Sequence, residues 1–101
     1  MIEAAEAVAT FVSGRSRADV DTDSMLLFAG VRAIEIIGEA ASKVSQETRA
    51  AVPAVPWVQI AAMRNRLIHA YFDIDRDILW RTAIEEVPAL LTLLRTLAAG
   101  A

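Results

Sequence analysis

The segment from Arg64 to Tyr71 concentrates polar groups that an ordinary solvated helix face seldom carries. It holds two arginines, an asparagine, and the only histidine and only tyrosine of the chain, between the apolar Met63 and Phe72. Histidine transfers protons near neutral pH, and arginine binds phosphate oxygens through paired hydrogen bonds. Cleavage of RNA without a metal is one reaction that uses both groups. It needs a general base, a general acid that protonates the 5′-oxygen leaving group, and a cationic side chain that binds the phosphate oxygens. Arg64 and His69 are therefore the candidate catalytic residues.

Helix geometry limits how these groups can act together. Each residue of a straight helix advances about 100°, so Arg64 and Tyr71 lie about 20° apart, whereas Arg64 and His69 lie about 140° apart. Asn65 and Arg66 precede His69 by four and three residues, which makes them its neighbours and candidate substrate-binding residues. Three arrangements reconcile Arg64 with His69: the helix ends or distorts near His69, the arginine wraps around, or a second subunit completes the site.

The single histidine of the chain is relevant to the third arrangement, in which a second subunit completes the site. With one histidine per chain, a site with two imidazoles requires a symmetric homodimer that brings two copies of the segment together. The competing interpretation is structural: a histidine near a helix C-terminus often stabilises the helix dipole, and a nearby tyrosine is often a half-buried packing residue. Composition alone favours that structural interpretation.

Composition excludes several other kinds of site. The absence of cysteine excludes disulfides, a thiolate nucleophile and sulfur-ligated zinc, and one histidine excludes a multi-histidine metal cluster within a chain. We expect neither a metal nor a cofactor. The net charge of −3 repels nucleic acid at long range, so any RNA contact must come from a local cluster of arginines.

The location of the protein is predicted from two further features. No run approaches the 18 or so apolar residues of a membrane span. Glu3 and Glu6 occupy positions where a signal peptide carries Lys or Arg. We therefore expect a cytoplasmic protein without membrane contact.

The elements that must position the segment are predicted to be helices. A chain of 101 residues with 55% hydrophobic residues, four glycines and three prolines is typical of one all-α domain, here residues 1–101. Short connections favour a four-helix bundle with a further short helical turn. The predicted elements are helices over Ile2–Val12, Ser24–Val44, Pro56–Tyr71 and about 78–97, a loop over Ser13–Asp19, and a turn from Ser45 to about Ala51.

Individual residues sharpen these boundaries. Asp21 to Ser24 offer N-cap oxygens for the second helix, and Pro53 and Pro56 must interrupt helical structure between Val52 and Val55. Gly38 costs a helix about 1 kcal/mol relative to alanine, so it predicts a close contact with a neighbouring helix. Pro88 deprives the Ile84 carbonyl of its helical partner and predicts a kink.

At these residues the sequence resembles the HepT family, the small HEPN-type toxins of toxin–antitoxin modules. The hallmark of that family, Arg, four residues, His, one residue, Tyr, falls on Arg64, His69 and Tyr71. The resemblance extends over almost the whole chain, through the block from Ile36 to Ala40, the Val55, Pro56, Trp57 sequence, and Trp80 with Pro88.

The resemblance implies a HEPN-like helical protomer that forms a homodimer or larger assembly in which two motifs face a shared cleft. Arg64 and His69 would then be the catalytic pair of a metal-independent ribonuclease toxin that cleaves cellular RNA, with tRNA among the targets. An MntA-type nucleotidyltransferase would silence it by transferring AMP to Tyr71. Family members carry a longer first helix, so we expect part of the bundle here to be less covered.

Residues near the motif have open roles. Glu39 is a candidate supporting residue that holds Arg64 or Arg66, or else pairs with Arg32. Arg76 and Arg81 would extend a phosphate track, but their acidic neighbours favour surface ion pairs. Two other functions stay open: a non-catalytic helical module that binds a nucleotidyltransferase, and a stand-alone RNA-processing factor.

Overall fold

The part of the chain that the structure describes is mostly helical, which confirms the predicted all-α class. The computed structural model describes residues 1–70 and 73–100, with the backbone alone described for residues 64, 68–70 and 98–100. The elements are α1 (Ile2–Val12), α2 (Arg17–Thr22), α3 (Ser24–Ser42), α4 (Gln46–Ala51), α5 (Trp57–Ala61), α6 (Met63–Leu67), β1 (Ile68–Ala70), β2 (Asp73–Ile74), α7 (Arg76–Arg81), a π-helical segment (Thr82–Glu86) and α8 (Val87–Gly100). Over the described part of the chain, none of the helices is long and apolar enough to cross a membrane.

Helix α3 is the central helix, as predicted. It packs against α1, α5 and α6, while α1 also packs against α8. Ile34 and Ile37 of α3 are fully buried in one apolar cluster, together with Val8, Leu67 and Val87 from other helices. Burying a side chain of this kind contributes about 1.5–3 kcal/mol. This packing fixes α6, the helix that carries the start of the motif, against the centre of the protein.

The two glycines inside α3 lie in different environments. A Cβ built on Gly38 would lie 3.3 Å from the Ile60 carbonyl oxygen and 3.5 Å from that of Ala61. A Cβ built on Gly30 would meet only the Leu79 side chain, at 3.6 Å from its Cδ1. The close helix contact predicted at Gly38 is therefore confirmed, and it is a contact with backbone.

We expect alanine to have opposite effects at these two positions. Gly30→Ala should stabilise the fold by about 1 kcal/mol through helix propensity and raise Tm by about 4–8 °C. Gly38→Ala should lose that gain, because the Ile60 backbone carbonyl, 3.3 Å from the added methyl group, must move to admit it. Thermal unfolding of the two variants beside the parent measures the difference. Equal rises in Tm would contradict the close contact.

The predicted loop over Ser13–Asp19 is wrong in its second half, where α2 begins at Arg17. The Ser16 N–H donates to Asp19 Oδ2 at 2.7 Å, and this hydrogen bond is the main cause of the lowered pKa of Asp19. The pattern of serine followed three residues later by an acidic residue is the sequence signal of a capping box. It marks a helix start that apolar periodicity alone does not reveal.

Asp23 joins α2 to α3, as its predicted capping role requires. Its Oδ1 accepts hydrogen bonds from the backbone N–H groups of Met25 at 3.0 Å and Leu26 at 3.3 Å. The Arg15 guanidinium donates to Asp23 Oδ2 at 2.7 Å and is the largest cause of the lowered pKa of that carboxyl. Helix α3 accordingly begins at Ser24, as predicted, although it ends at Ser42 rather than Val44.

The connection from α3 to α5 follows the prediction. The Ser45 hydroxyl accepts from the Thr48 N–H at 3.1 Å and caps α4, the expected single turn. Pro53 and Pro56 separate α4 from α5. The Trp57 indole N–H donates to the Val52 carbonyl at 3.0 Å, so this half-buried ring anchors the loop to the start of α5.

The last helical stretch contains a π-helical segment directly before Val87 and Pro88, where the sequence predicts a kink. Asp75 caps α7 by accepting the Ile78 N–H at 3.0 Å. The Val87 N–H then donates to the Thr82 carbonyl, five residues back rather than four. Since Pro88 has no N–H to offer the Ile84 carbonyl, a π-helical segment accommodates the mismatch.

Candidate functional site

The helix predicted over Pro56–Tyr71 is wrong beyond Leu67. The chain forms α5, turns at Ala62, forms α6 and then extends into β1. The Leu67 carbonyl accepts the Asp75 N–H at 2.6 Å, which satisfies a carbonyl that a helix end leaves without a partner. This contact is tertiary, so the local sequence does not reveal it.

The catalytic candidates therefore lie on different elements. Arg64 is the second residue of α6, and His69 is the central residue of β1. The separation of about 140° applies only to a continuous helix, so the backbone matches the first predicted arrangement, in which the helix ends before His69. The side chains of Arg64 and His69, and all of Tyr71, lie outside the described residues. Their roles stay predictions.

A bulge in the short sheet falls at His69. Strands β1 and β2 are antiparallel, with Ile68 opposite Ile74 and Ala70 opposite Asp73. Two steps along β1 therefore match one step along β2, which leaves His69 as the extra residue. Bulges are over-represented next to active sites, where they interrupt pairing. The bulge therefore places His69 at an interruption of the strand pairing. The hydrogen bond from the Asp75 N–H to the Leu67 carbonyl joins the start of α7 to the end of α6 beside it.

Arg66, a predicted substrate-binding residue, belongs to a hydrogen-bonded network that the sequence interpretation missed. Its Nη2 lies 3.0 Å from Glu86 Oε1, and the other oxygen of that carboxylate accepts the Thr82 hydroxyl at 3.1 Å. Thr82 is only 1% exposed. Glu86 lies 20 residues after Arg66, so the local sequence does not reveal this pair. The contact of Thr82 with Glu86 does have a local signal, because residues four positions apart lie on the same side of a helix.

Asn65 and Glu39 meet at a shallow depression between α3 and the α5–α6 stretch. Both line a space of about 260 Å³ together with Gly38 and Ala61. Glu39 Oε1 lies 3.2 Å from Lys43 Nζ, whereas Arg32 pairs with Glu35 at 3.6 Å. The pairing of Glu39 with Arg32 or Arg66 is therefore wrong, and its support of Arg64 stays a prediction.

The two arginines of α7 differ in their environments. Arg76 forms a surface ion pair, as expected, and its partner is Asp21, at 3.8 Å. Arg81 is exposed and, among the side chains that the structure describes, pairs with none. Arg81 instead lines a cavity with Arg66.

Comparison with known proteins adds independent information. A family model described as "Ribonuclease HepT-like" matches residues 1–97. The chain is 40% identical over 88 residues to a protein named "Probable ribonuclease HepT" from Thermococcus cleftensis, covering 87% of this chain and 80% of that protein. It is 37% identical over 90 residues to a "Putative RNase" from Methanocaldococcus jannaschii, covering 89% and 83% respectively. No solved structure matches it at a comparable level of significance.

Proposed function

Because the chain belongs to the HepT-like ribonuclease family, we propose that it is a metal-independent endoribonuclease toxin of a toxin–antitoxin module. The family match over residues 1–97 is the observation that carries this proposal. The matched range includes Arg64, His69 and Tyr71, the three residues of the motif. The antiparallel pairing of β1 with β2 also supports the proposal. It contains a bulge at His69, and bulges are over-represented next to active sites.

The proposed reaction uses the RNA as its own nucleophile. The 2′-oxygen attacks the adjacent phosphorus, the bond from phosphorus to the 5′-oxygen breaks, and the products are a 2′,3′-cyclic phosphate and a 5′-hydroxyl. His69 takes the proton from the 2′-hydroxyl, and a second histidine protonates the 5′-oxygen. Arg64 stabilises the charge that develops on the equatorial phosphate oxygens.

Two histidines require two chains. We propose that the protomer is a four-helix bundle formed by α1, α3, the α5–α6 stretch and the α7–α8 stretch, and that two protomers form a homodimer around a shared cleft. The single histidine of each chain supports this arrangement. The assembly would act on cellular RNA, tRNA included, in the cytoplasm.

Regulation would occur at the same motif. A cognate MntA-type nucleotidyltransferase would transfer AMP from ATP to the Tyr71 oxygen, with loss of the phenolic proton and release of pyrophosphate. The added phosphodiester carries negative charge, so it would compete for the Arg64 guanidinium that otherwise binds substrate. Modification would therefore block the site by charge and by bulk.

Cleavage of defined RNA in EDTA tests the proposed activity. We expect the purified protein to cut a mixed-sequence RNA oligomer and leave 2′,3′-cyclic phosphate ends. A matched oligomer with 2′-deoxyribose throughout should stay intact, because it has no internal nucleophile. If the protein leaves the RNA intact but copurifies with a nucleotidyltransferase, it is a binding module rather than an enzyme.

A further inference from the structure

A surface cavity lies between α6, α7 and the π-helical segment. Its volume is about 380 Å³, and among the side chains that the structure describes its charged lining residues are Arg66, Arg81 and Glu86. Two guanidiniums and one carboxylate leave one net positive charge. The other described lining residues are Ile78 and Thr82, so this part of the cavity offers a local positive site on a chain whose net charge is −3. Such a site attracts an anion at short range.

The carboxylate of Glu86 is already bound on both oxygens. Glu86 Oε1 contacts Arg66 at 3.0 Å and Oε2 accepts from the Thr82 hydroxyl at 3.1 Å. Arginine has five N–H donors, so Arg66 keeps donors free while Glu86 fixes its position. Arg81, whose side chain pairs with no other in the described part of the chain, contributes further donors. The two arginines are thus available for a phosphate.

The π-helical segment is what places Thr82 and Glu86 in this network. Segments of this kind are rare and are found frequently at functional sites. Here Thr82 is buried and Glu86 lies four residues later, facing Arg66 of α6. Arg66 in turn lies on α6, the helix that carries Arg64, and precedes His69 by three residues in the sequence.

We propose that Arg66 and Arg81 form a second phosphate subsite, which binds an RNA phosphate next to the one that is cleaved. Glu86 and Thr82 are positioning residues, because they act through Arg66. This inference rests on the proposed function, which it deepens by assigning substrate contacts outside the motif. It also gives Arg81 a role in binding the substrate, whereas the acidic neighbours of Arg81 in the sequence favour a surface ion pair.

Binding of a 2′-O-methyl RNA oligomer separates this subsite from catalysis, since that oligomer binds but cannot be cleaved. Arg81→Gln should weaken binding by about fivefold to tenfold at moderate salt and lower the slope of log K against log salt by about 0.7, the loss of one phosphate contact. Arg76→Gln is the matched control, because it removes the same charge from the same helix outside the cavity. Fluorescence anisotropy across a salt series gives both quantities.

The results distinguish the two proposals. If Arg81→Gln binds like the parent, or Arg76→Gln loses as much affinity, the subsite is wrong while RNA cleavage by the parent still supports the proposed function. If the parent neither binds nor cleaves RNA, both proposals fall.

Thr82→Val tests the positioning role. It keeps the size of the side chain but removes the hydroxyl that holds Glu86, so RNA affinity should fall severalfold, and Thr82→Ser should restore it. If Thr82→Val has a lower Tm but the same RNA affinity and salt slope as the parent, Thr82 has only a structural role. That result would overturn this part of the inference.

Discussion

Replacing His69 with alanine is expected to lower RNA cleavage by a factor of about 100 to 10,000, the usual contribution of general acid–base catalysis. The loss should lie near the upper limit, because one substitution removes both imidazoles of the dimer and the chain has no other histidine to replace them. Initial rates on a fluorescent RNA oligomer in EDTA measure the effect. Growth of cells that express the variant without its partner should recover in parallel.

The control must show that the variant still folds. His69 lies in β1, whose position depends on the hydrogen bond from the Asp75 N–H to the Leu67 carbonyl, a main-chain contact that the substitution leaves in place. The far-ultraviolet circular dichroism and Tm of His69→Ala should therefore match those of the parent. A folded variant that cleaves RNA and arrests growth as strongly as the parent would show that His69 is not catalytic.

Coexpression with the proposed nucleotidyltransferase partner should abolish RNA cleavage and add mass in multiples of one AMP. The physical reason is competition: an anionic adenylyl group on Tyr71 would occupy the Arg64 guanidinium and fill the space meant for the scissile phosphate. Intact mass spectrometry and cleavage rates on the same preparation measure both effects.

Tyr71→Phe provides the matched control for this second prediction. The ring is retained and the acceptor oxygen is lost, so the variant should gain no mass and should stay active in the presence of the partner. Mass addition to Tyr71→Phe would place the modification elsewhere. Full cleavage activity in a fully modified preparation would contradict blocking by charge and bulk.

The helical elements could largely be predicted because their signals are local. Helix α1 has the predicted bounds, and Asp23, Ser45 and the prolines mark the expected boundaries. Helix α2 has a local signal too, in Ser16 and Asp19, but it requires a capping argument rather than periodicity.

The end of α6 could not be predicted from its own sequence. Apolar residues continue at helical spacing past Leu67, but the hydrogen bond from Asp75 and the pairing of β1 with β2 accompany the end of the helix there. Those interactions join residues three to eight positions apart across a reversal of the chain, which a periodic pattern does not encode. The error mattered for function, since it placed His69 on a helix instead of a strand.

The candidate site shows the same division. Residue type and spacing identified the motif, and the chemistry of histidine and arginine predicted its use. Glu86 and Thr82 could not be identified in this way, because Glu86 contacts Arg66 only after the chain has passed through β1, β2 and α7.

The central claim is that two histidines from two chains serve one cleft, and a mixed dimer tests it most directly. Parent and His69→Ala chains with different affinity tags can be coexpressed and the heterodimer purified through both tags. A shared cleft that needs both imidazoles predicts activity far below half that of the parent homodimer. Activity of one half, the value for two independent protomers, would contradict the account.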